Sequence, residues 1–178
     1  MGKSNSIGRV VVLLLLGSLA SSLVFAHGPS RQKVVERIEI NAPAEKLWAL
    51  VGDYAGWQKW HPAIEASTAD KGNELGSLRH LSLKGGKYLD ETLEGYDPAA
   101  MSLKYRIKAG DGLPVTNYSS TIVVIGDGAK CAVEWRGAFY RGYPNNDPPP
   151  DQNDEAAIAA VTGVYRLGLN NLKAVAER

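Results

Sequence analysis

Cysteine is almost missing: Cys131 is the single one among 178 residues. No internal disulfide can form, so stability has to come from a packed core. An excess of one charge is missing as well, with 20 basic residues against 19 acidic ones and a formal net charge of +1. No basic run occurs, and nucleic-acid binding depends on clustered Lys and Arg, so that partner class is set aside. Histidine occurs only at His27, His61 and His80, with no His or Cys partner at zinc-ligand spacing. No glycine-rich phosphate loop follows a strand pattern; Lys84-Gly85-Gly86-Lys87 reads as a turn. No metal and no cofactor are therefore expected.

The longest apolar run lies at the start. Lys3 and Arg9 precede Val10 to Leu16, small residues follow, and Val24-Phe25-Ala26 ends the segment. This is the pattern of a secretory signal peptide with cleavage after Ala26. An uncleaved anchor is the competing reading, but Gly17, Ser18, Ser21 and Ser22 break a run that would need about 20 apolar residues to span a bilayer. The expectation is residues 1–26 as signal peptide and 27–178 as one exported domain, with no membrane attachment after cleavage. Removal of Lys3 and Arg9 leaves that domain near neutral. His27 would become its first residue, where ring and free amine could chelate copper; a disordered terminal residue is the simpler reading.

Along the rest of the chain, Lys33 to Ile40 alternates apolar and charged residues and reads as a strand with Val34, Ile38 and Ile40 on one face. Pro43 suits the first turn of a helix that ends near Gly52, and Tyr54 to His61 reads as a second short helix or turn stopped by Pro62. Six strand patterns follow: Ile64 to Thr68, Leu78 to Leu83, Lys87 to Gly95, Met101 to Lys108, Asn117 to Ile125 and Lys130 to Tyr140. Gly85-Gly86, Asp97-Pro98, Gly110-Asp111-Gly112 and Gly126-Asp127-Gly128 punctuate them, as in an antiparallel meander. Pro148-Pro149-Pro150 forbids regular structure before a final helix over Asp154 to Glu177, with Asp154 able to cap it. Ala157, Val161, Val164, Gly168 and Leu172 form its apolar stripe. Only this helix is long enough to cover a seven-stranded sheet, and its small residues predict a cavity beneath it.

Several stretches resemble the helix-grip superfamily of START lipid-transfer domains, birch-pollen-allergen-type proteins and polyketide cyclase/dehydrase-like proteins. They are Ala42 to Trp48, Trp57 to Pro62, Gly76 to Arg79, Glu91 to Asp97, Leu113 to Tyr118 and Val133 to Trp135. The resemblance implies an α+β fold: a curved seven-stranded antiparallel sheet with two short helices and a long C-terminal helix over a cavity. A narrower likeness, over Trp135 to Pro150 and Asn153 to Tyr165, is to periplasmic MxaD-type accessory proteins of bacterial methanol oxidation. It implies a periplasmic location and, as partner, methanol dehydrogenase or its cytochrome c acceptor.

Resemblance to plant hormone receptors of the same fold implies that Glu91, Tyr118, Ser120 and Glu134 look into the cavity, with Lys59 and Arg79 on its wall or rim. Val161, Val164 and Gly168, from the stripe of the last helix, are expected to face a small hydrophobic ligand held there. Inward acids need partners, and a carboxylate raised by burial could serve as a general acid or base. Glu91 and Glu134 read equally well as cross-strand charge pairs on the open face of the sheet. Asp147, Asp151, Asp154 and Glu155 lack the ligand spacing of a calcium loop. Their stretch reads as a stiff solvated loop or as a partner-docking loop carrying Tyr143, Asp147 and Pro149, where stiffness lowers the ordering cost of binding. Three functions remain: a non-enzymatic accessory protein of methanol oxidation, a polyketide cyclase/dehydratase-like enzyme, and a periplasmic lipid or isoprenoid carrier.

Overall fold

The computed structural model describes residues 28–126 and 128–178. The signal-peptide reading, its cleavage point and His27 lie outside the described residues. Seven strands form one curved antiparallel sheet: β1 Gln32–Ile40, β2 Ile64–Ala69, β3 Leu78–Leu83, β4 Tyr88–Asp97, β5 Ser102–Gly110, β6 Val115–Ile125 and β7 Cys131–Arg141. Their spatial order is β1-β7-β6-β5-β4-β3-β2, so two strands adjacent in sequence, β1 and β2, occupy opposite edges. Helix α1 (Ala44–Val51) and a 3₁₀ turn (Trp57–Lys59) cross from one edge to the other. Helix α2 (Asp154–Ala176) lies over β1 and β7. Among the described residues no helix is long and apolar enough to cross a membrane.

Alternation explains the sheet. In β1, Val34 and Ile40 are buried while Lys33, Val35, Arg37 and Glu39 face solvent. In β7, Cys131, Val133, Trp135, Gly137, Phe139 and Arg141 face inward. Register shifts in β4 and β6 bend the sheet around the interior, as bulges do. The one in β6 falls between Thr116 and Ser119, where Asn117 takes a φ of 49°, a left-handed value that asparagine tolerates better than most residues.

The interior is largely filled by aromatic side chains. Trp57, Trp60 and Trp135 are buried together, with Trp135 stacked on Tyr165 of α2 at 4.3 Å between ring centroids. The buried stripe of α2 runs through Ala157, Val161, Tyr165, Gly168, Leu169, Leu172 and Ala176. Its helical spacing is the expected one, but Tyr165 occupies the place read for Val164, which is only half-buried. Its N-cap is Asn153 rather than Asp154: the Asn153 Oδ1 accepts the Ala156 N–H at 2.8 Å. Asp154 instead binds the guanidinium of Arg141.

Gly168 is required by a neighbour. A Cβ there would sit 2.5 Å from His61 Cδ2 and 3.0 Å from the Trp135 ring. Helix propensity alone favours Gly168→Ala by about 1 kcal/mol. Overpacking opposes it by about 1–3 kcal/mol, and the net effect is expected to be destabilising, read as a lower urea midpoint at unchanged slope.

Candidate functional site

The space left between α2 and the sheet is small, a cavity of about 60 Å³. Ile64, Leu81 and Leu89 make its buried apolar walls, with the half-buried Ile107 beside them, and the Trp57 and Trp135 rings complete the lining. Its polar side chains are Glu91, His61, Tyr105 and Tyr118. Ala63, Leu83, Gly112, Leu113 and Val164 line it but are only half-buried, so they mark its mouth.

Glu91 sits on β4 between Leu89 and Leu93, with the parity of both, and therefore points inward. Arg79 on β3 is its cross-strand partner. The Arg79 Nε donates to Glu91 Oε2 at 2.8 Å, Nη2 donates to the same oxygen, and Nη1 donates to the Tyr54 carbonyl at 2.7 Å. The guanidinium is sandwiched between the Tyr54 and Trp57 rings, each centroid 4.0 Å away. Burial pushes the Glu91 carboxyl above the usual carboxylate range, and the charge of Arg79 pulls against it. A guanidinium does not shed its proton, and two of its N–H groups converge on Glu91 Oε2, the geometry of a buried ion pair.

Above this pair a chain of hydrogen bonds crosses the interior, and its direction follows from its last member. Ser120 Oγ–H donates to the Arg136 carbonyl at 2.9 Å. Tyr165, 2.8 Å from Ser120 Oγ, must then donate to it. Tyr118 donates to Tyr165 at 2.6 Å, and Tyr105 donates to Tyr118 at 3.3 Å. The Trp135 Nε1–H serves both Tyr105 and Ser120, at 3.2 and 2.9 Å. Burial raises all three phenols above their ordinary range, so each remains a neutral hydroxyl.

His61 is buried beside α2. Its Nε2 lies 3.2 Å from the Val164 carbonyl, which can only accept, and its Nδ1 accepts the Ala63 N–H at 3.3 Å. The ring is thus the neutral Nε2–H form, and burial lowers its pKa to about 4. The unfolded chain takes up this proton near pH 6.5 while the folded chain resists until about 4. Stability is therefore lost as pH falls through that window, by roughly 3 kcal/mol in all. Urea melts at stepped pH are expected to show this slope in the native protein and to lose it in His61→Gln.

The positions expected to share one site are divided by the structure. Arg79, Glu91, Tyr118 and Ser120 are buried on the inner face. Val164 lines the cavity, Gly168 abuts His61, and Val161 is buried in α2. Glu134 is turned the other way: its parity is opposite to that of Val133 and Trp135, so it lies on the outer face beside Arg136 and Arg37. Lys59 is exposed on the 3₁₀ turn and pairs with Asp53 at 2.7 Å, away from the cavity lining.

The expected docking loop is organised by a residue not singled out from sequence. Arg141 is buried and donates to the carbonyls of Tyr143 and Asn145 and to Asp154 at the start of α2. Asp147 is exposed with φ 55°, and the Pro149 carbonyl accepts the Gln152 N–H. His61, Tyr105, Trp135 and Tyr165 were also missed as site residues. Tyr165 could have been found from its spacing with Val161 and Leu169, and Tyr105 from its alternation with Leu103 and Ile107.

Comparison with known proteins fits this geometry. A protein from Bacillus cereus called XoxI is 30% identical, with TM-score 0.68, over 81% of this chain and 94% of its own. A START superfamily protein from Mycobacterium smegmatis is 15% identical with TM-score 0.63, over 82% of this chain and 97% of its own, and shares the fold. MLP-like protein 423 of Arabidopsis thaliana is 30% identical over 122 residues, 63% of this chain and 78% of that protein. Residues 31–177 match the family described as polyketide cyclase / dehydrase and lipid transport. The helix-grip chain described above belongs to that family.

Proposed function

We propose that this chain is an exported, non-enzymatic binding protein that holds a small, mainly apolar molecule against Glu91 and acts as an accessory to a periplasmic redox enzyme. The observation that carries the binding reading is a largely apolar cavity with one carboxylate on its wall. Catalysis is disfavoured by the same geometry. Arg79 holds Glu91 Oε2, both His61 nitrogens are engaged, and each phenol proton is already given to a neighbour. A general acid needs a proton it is free to give, and these groups have none to spare; the unengaged oxygen, Glu91 Oε1, has no acid partner among them to work with.

Size sets the ligand class. Pockets for drug-sized ligands run to about 300–1,000 Å³. A cavity of about 60 Å³ suits a molecule of a few heavy atoms. A lipid or isoprenoid cargo, the reading suggested by the family's lipid-transport members, would require the half-buried mouth at Leu83, Leu113 and Val164 to part. Native mass spectrometry of the protein purified from its own host tests the assignment. A small retained adduct supports it; a lipid-mass adduct replaces it with the carrier reading.

The finer role, assistance to methanol dehydrogenase or its cytochrome c acceptor, rests on the resemblance over Trp135 to Pro150 and Asn153 to Tyr165. It is supported by the way Arg141 pins the proline-rich loop, which lowers the ordering cost of docking through Tyr143, Asp147 and Pro149. Pull-down from periplasm with the native protein is expected to recover one of the two partners, and Arg141→Met is expected to weaken recovery. Retrieval of neither removes the partner assignment.

A further inference from the structure

We infer that the cavity is selective for hydrogen-bond donors: it takes a small neutral molecule bearing a hydroxyl or amide N–H on an apolar body, held at Glu91 Oε1, and refuses the matching ketone or ether. This inference rests on the binding reading given above.

The polar side chains that line the cavity decide what it can hold. Five groups there carry a proton that could be donated, and each is committed to the protein. The Trp57 Nε1–H is given to the Val51 carbonyl at 3.0 Å. The Trp135 Nε1–H is shared between Tyr105 and Ser120. The His61 Nε2–H is given to the Val164 carbonyl. Tyr105 donates to Tyr118, and Tyr118 donates to Tyr165, because Ser120 has spent its own proton on the Arg136 carbonyl. No donor is left over among these side chains.

Acceptors are left over. Glu91 Oε2 takes both Arg79 N–H groups, while Oε1 has no hydrogen-bond partner among the described residues. Nor is Oε1 sealed in: the enclosed polar atoms without partners are Tyr54 Oη, Ser67 Oγ and Thr92 Oγ1. Glu91 lines the cavity, and Oε1 is the oxygen that Arg79 leaves free to meet a ligand there. A ligand group that donates to this carboxylate gains a charge-assisted bond, the stronger kind. A carbonyl or ether oxygen in the same place faces an anion and finds no proton, and an anionic ligand is repelled. Such unpaired polar groups are the basis of strong discrimination between ligands that differ by one hydroxyl.

The test uses propan-2-ol, acetone and 2-fluoropropane, three probes of similar size of which only the first donates. Each is titrated into the full domain, and ¹³C-methyl NMR follows Leu81, Ile107 and Val164. Propan-2-ol is expected to bind about tenfold or more tighter than either of the others. In Glu91→Gln the amide oxygen can keep Arg79 while the amide N–H₂ faces the cavity, so the preference is expected to narrow or reverse toward acetone. Should that variant fail to fold, 2-fluoropropane asks the same question of the native protein. Equal or preferred binding of acetone in the native protein overturns the donor selectivity and leaves the binding reading intact. No shift of the cavity methyls with any probe overturns the binding reading and the selectivity with it.

Discussion

Arg79→Met is expected to destabilise the fold by about 3–5 kcal/mol, because it strands the Glu91 carboxylate in an apolar interior. The substitution keeps much of the bulk stacked between Tyr54 and Trp57 while removing the charge and its three hydrogen bonds to Glu91 and the Tyr54 carbonyl. Two further readouts separate this cause from a simple packing defect. The loss relative to the native protein should be smaller at about pH 5 than at about pH 8. A carboxyl whose folded pKa is raised keeps its proton at low pH, and the destabilisation grows as pH rises and the stranded charge forms. The double variant Arg79→Met with Glu91→Leu should recover most of the loss, since a buried ion pair replaced by apolar groups of similar volume is close to neutral. Urea unfolding at the two pH values measures both. A double variant no more stable than the single one would assign the loss to packing.

The second large effect is expected at Trp135. Trp135→Ala removes the ring stacked on Tyr165, the wall shared with Trp57 and Trp60, and the N–H that starts the hydrogen-bond chain through Tyr105 and Ser120. Truncations of this kind cost about 3–5 kcal/mol. The same change enlarges the cavity, so a larger apolar probe such as benzene should raise the melting temperature of the variant and leave that of the native protein unmoved. Trp135→Phe isolates the hydrogen-bond part: the ring remains, Tyr105 and Ser120 each lose a donor, and the expected loss is about 1–3 kcal/mol. If benzene stabilises both proteins equally, the native cavity is larger or more open than described.

The contrast between two acids shows how far sequence reading reaches. Glu91 and Glu134 both lie in alternating strands, and the family resemblance turned both inward. In β4 the glutamate shares parity with Leu89 and Leu93. In β7 it has the opposite parity to Val133, Trp135 and Phe139. The apolar set of each strand states which face is buried, and that signal was sufficient to separate the two. The succession of strands along the chain, the proline-rich connection and the covering helix were also legible, because period-two and period-3.6 patterns and glycine or proline punctuation are local. The burial of His61 was not. It follows from Gly168, more than a hundred positions away, leaving room on α2 for the imidazole and from the Val164 carbonyl accepting its N–H. Nor could the size of the cavity be read. Small residues on α2 suggested an unfilled space, yet Tyr165 and the Trp57, Trp60 and Trp135 cluster occupy most of it from three different elements. The role of Arg141 escaped for the same reason, since its partners Tyr143, Asn145 and Asp154 converge only when the loop folds back on α2.

Electron density beside Glu91 Oε1, in a high-resolution crystal of protein isolated from its own host, is the most direct test of the account. A water or small molecule is expected there, donating a proton to that oxygen within a void bounded by Tyr105, Ile107 and Val164. A void closed by neighbouring side chains, with Oε1 bonded to the protein itself, would contradict it.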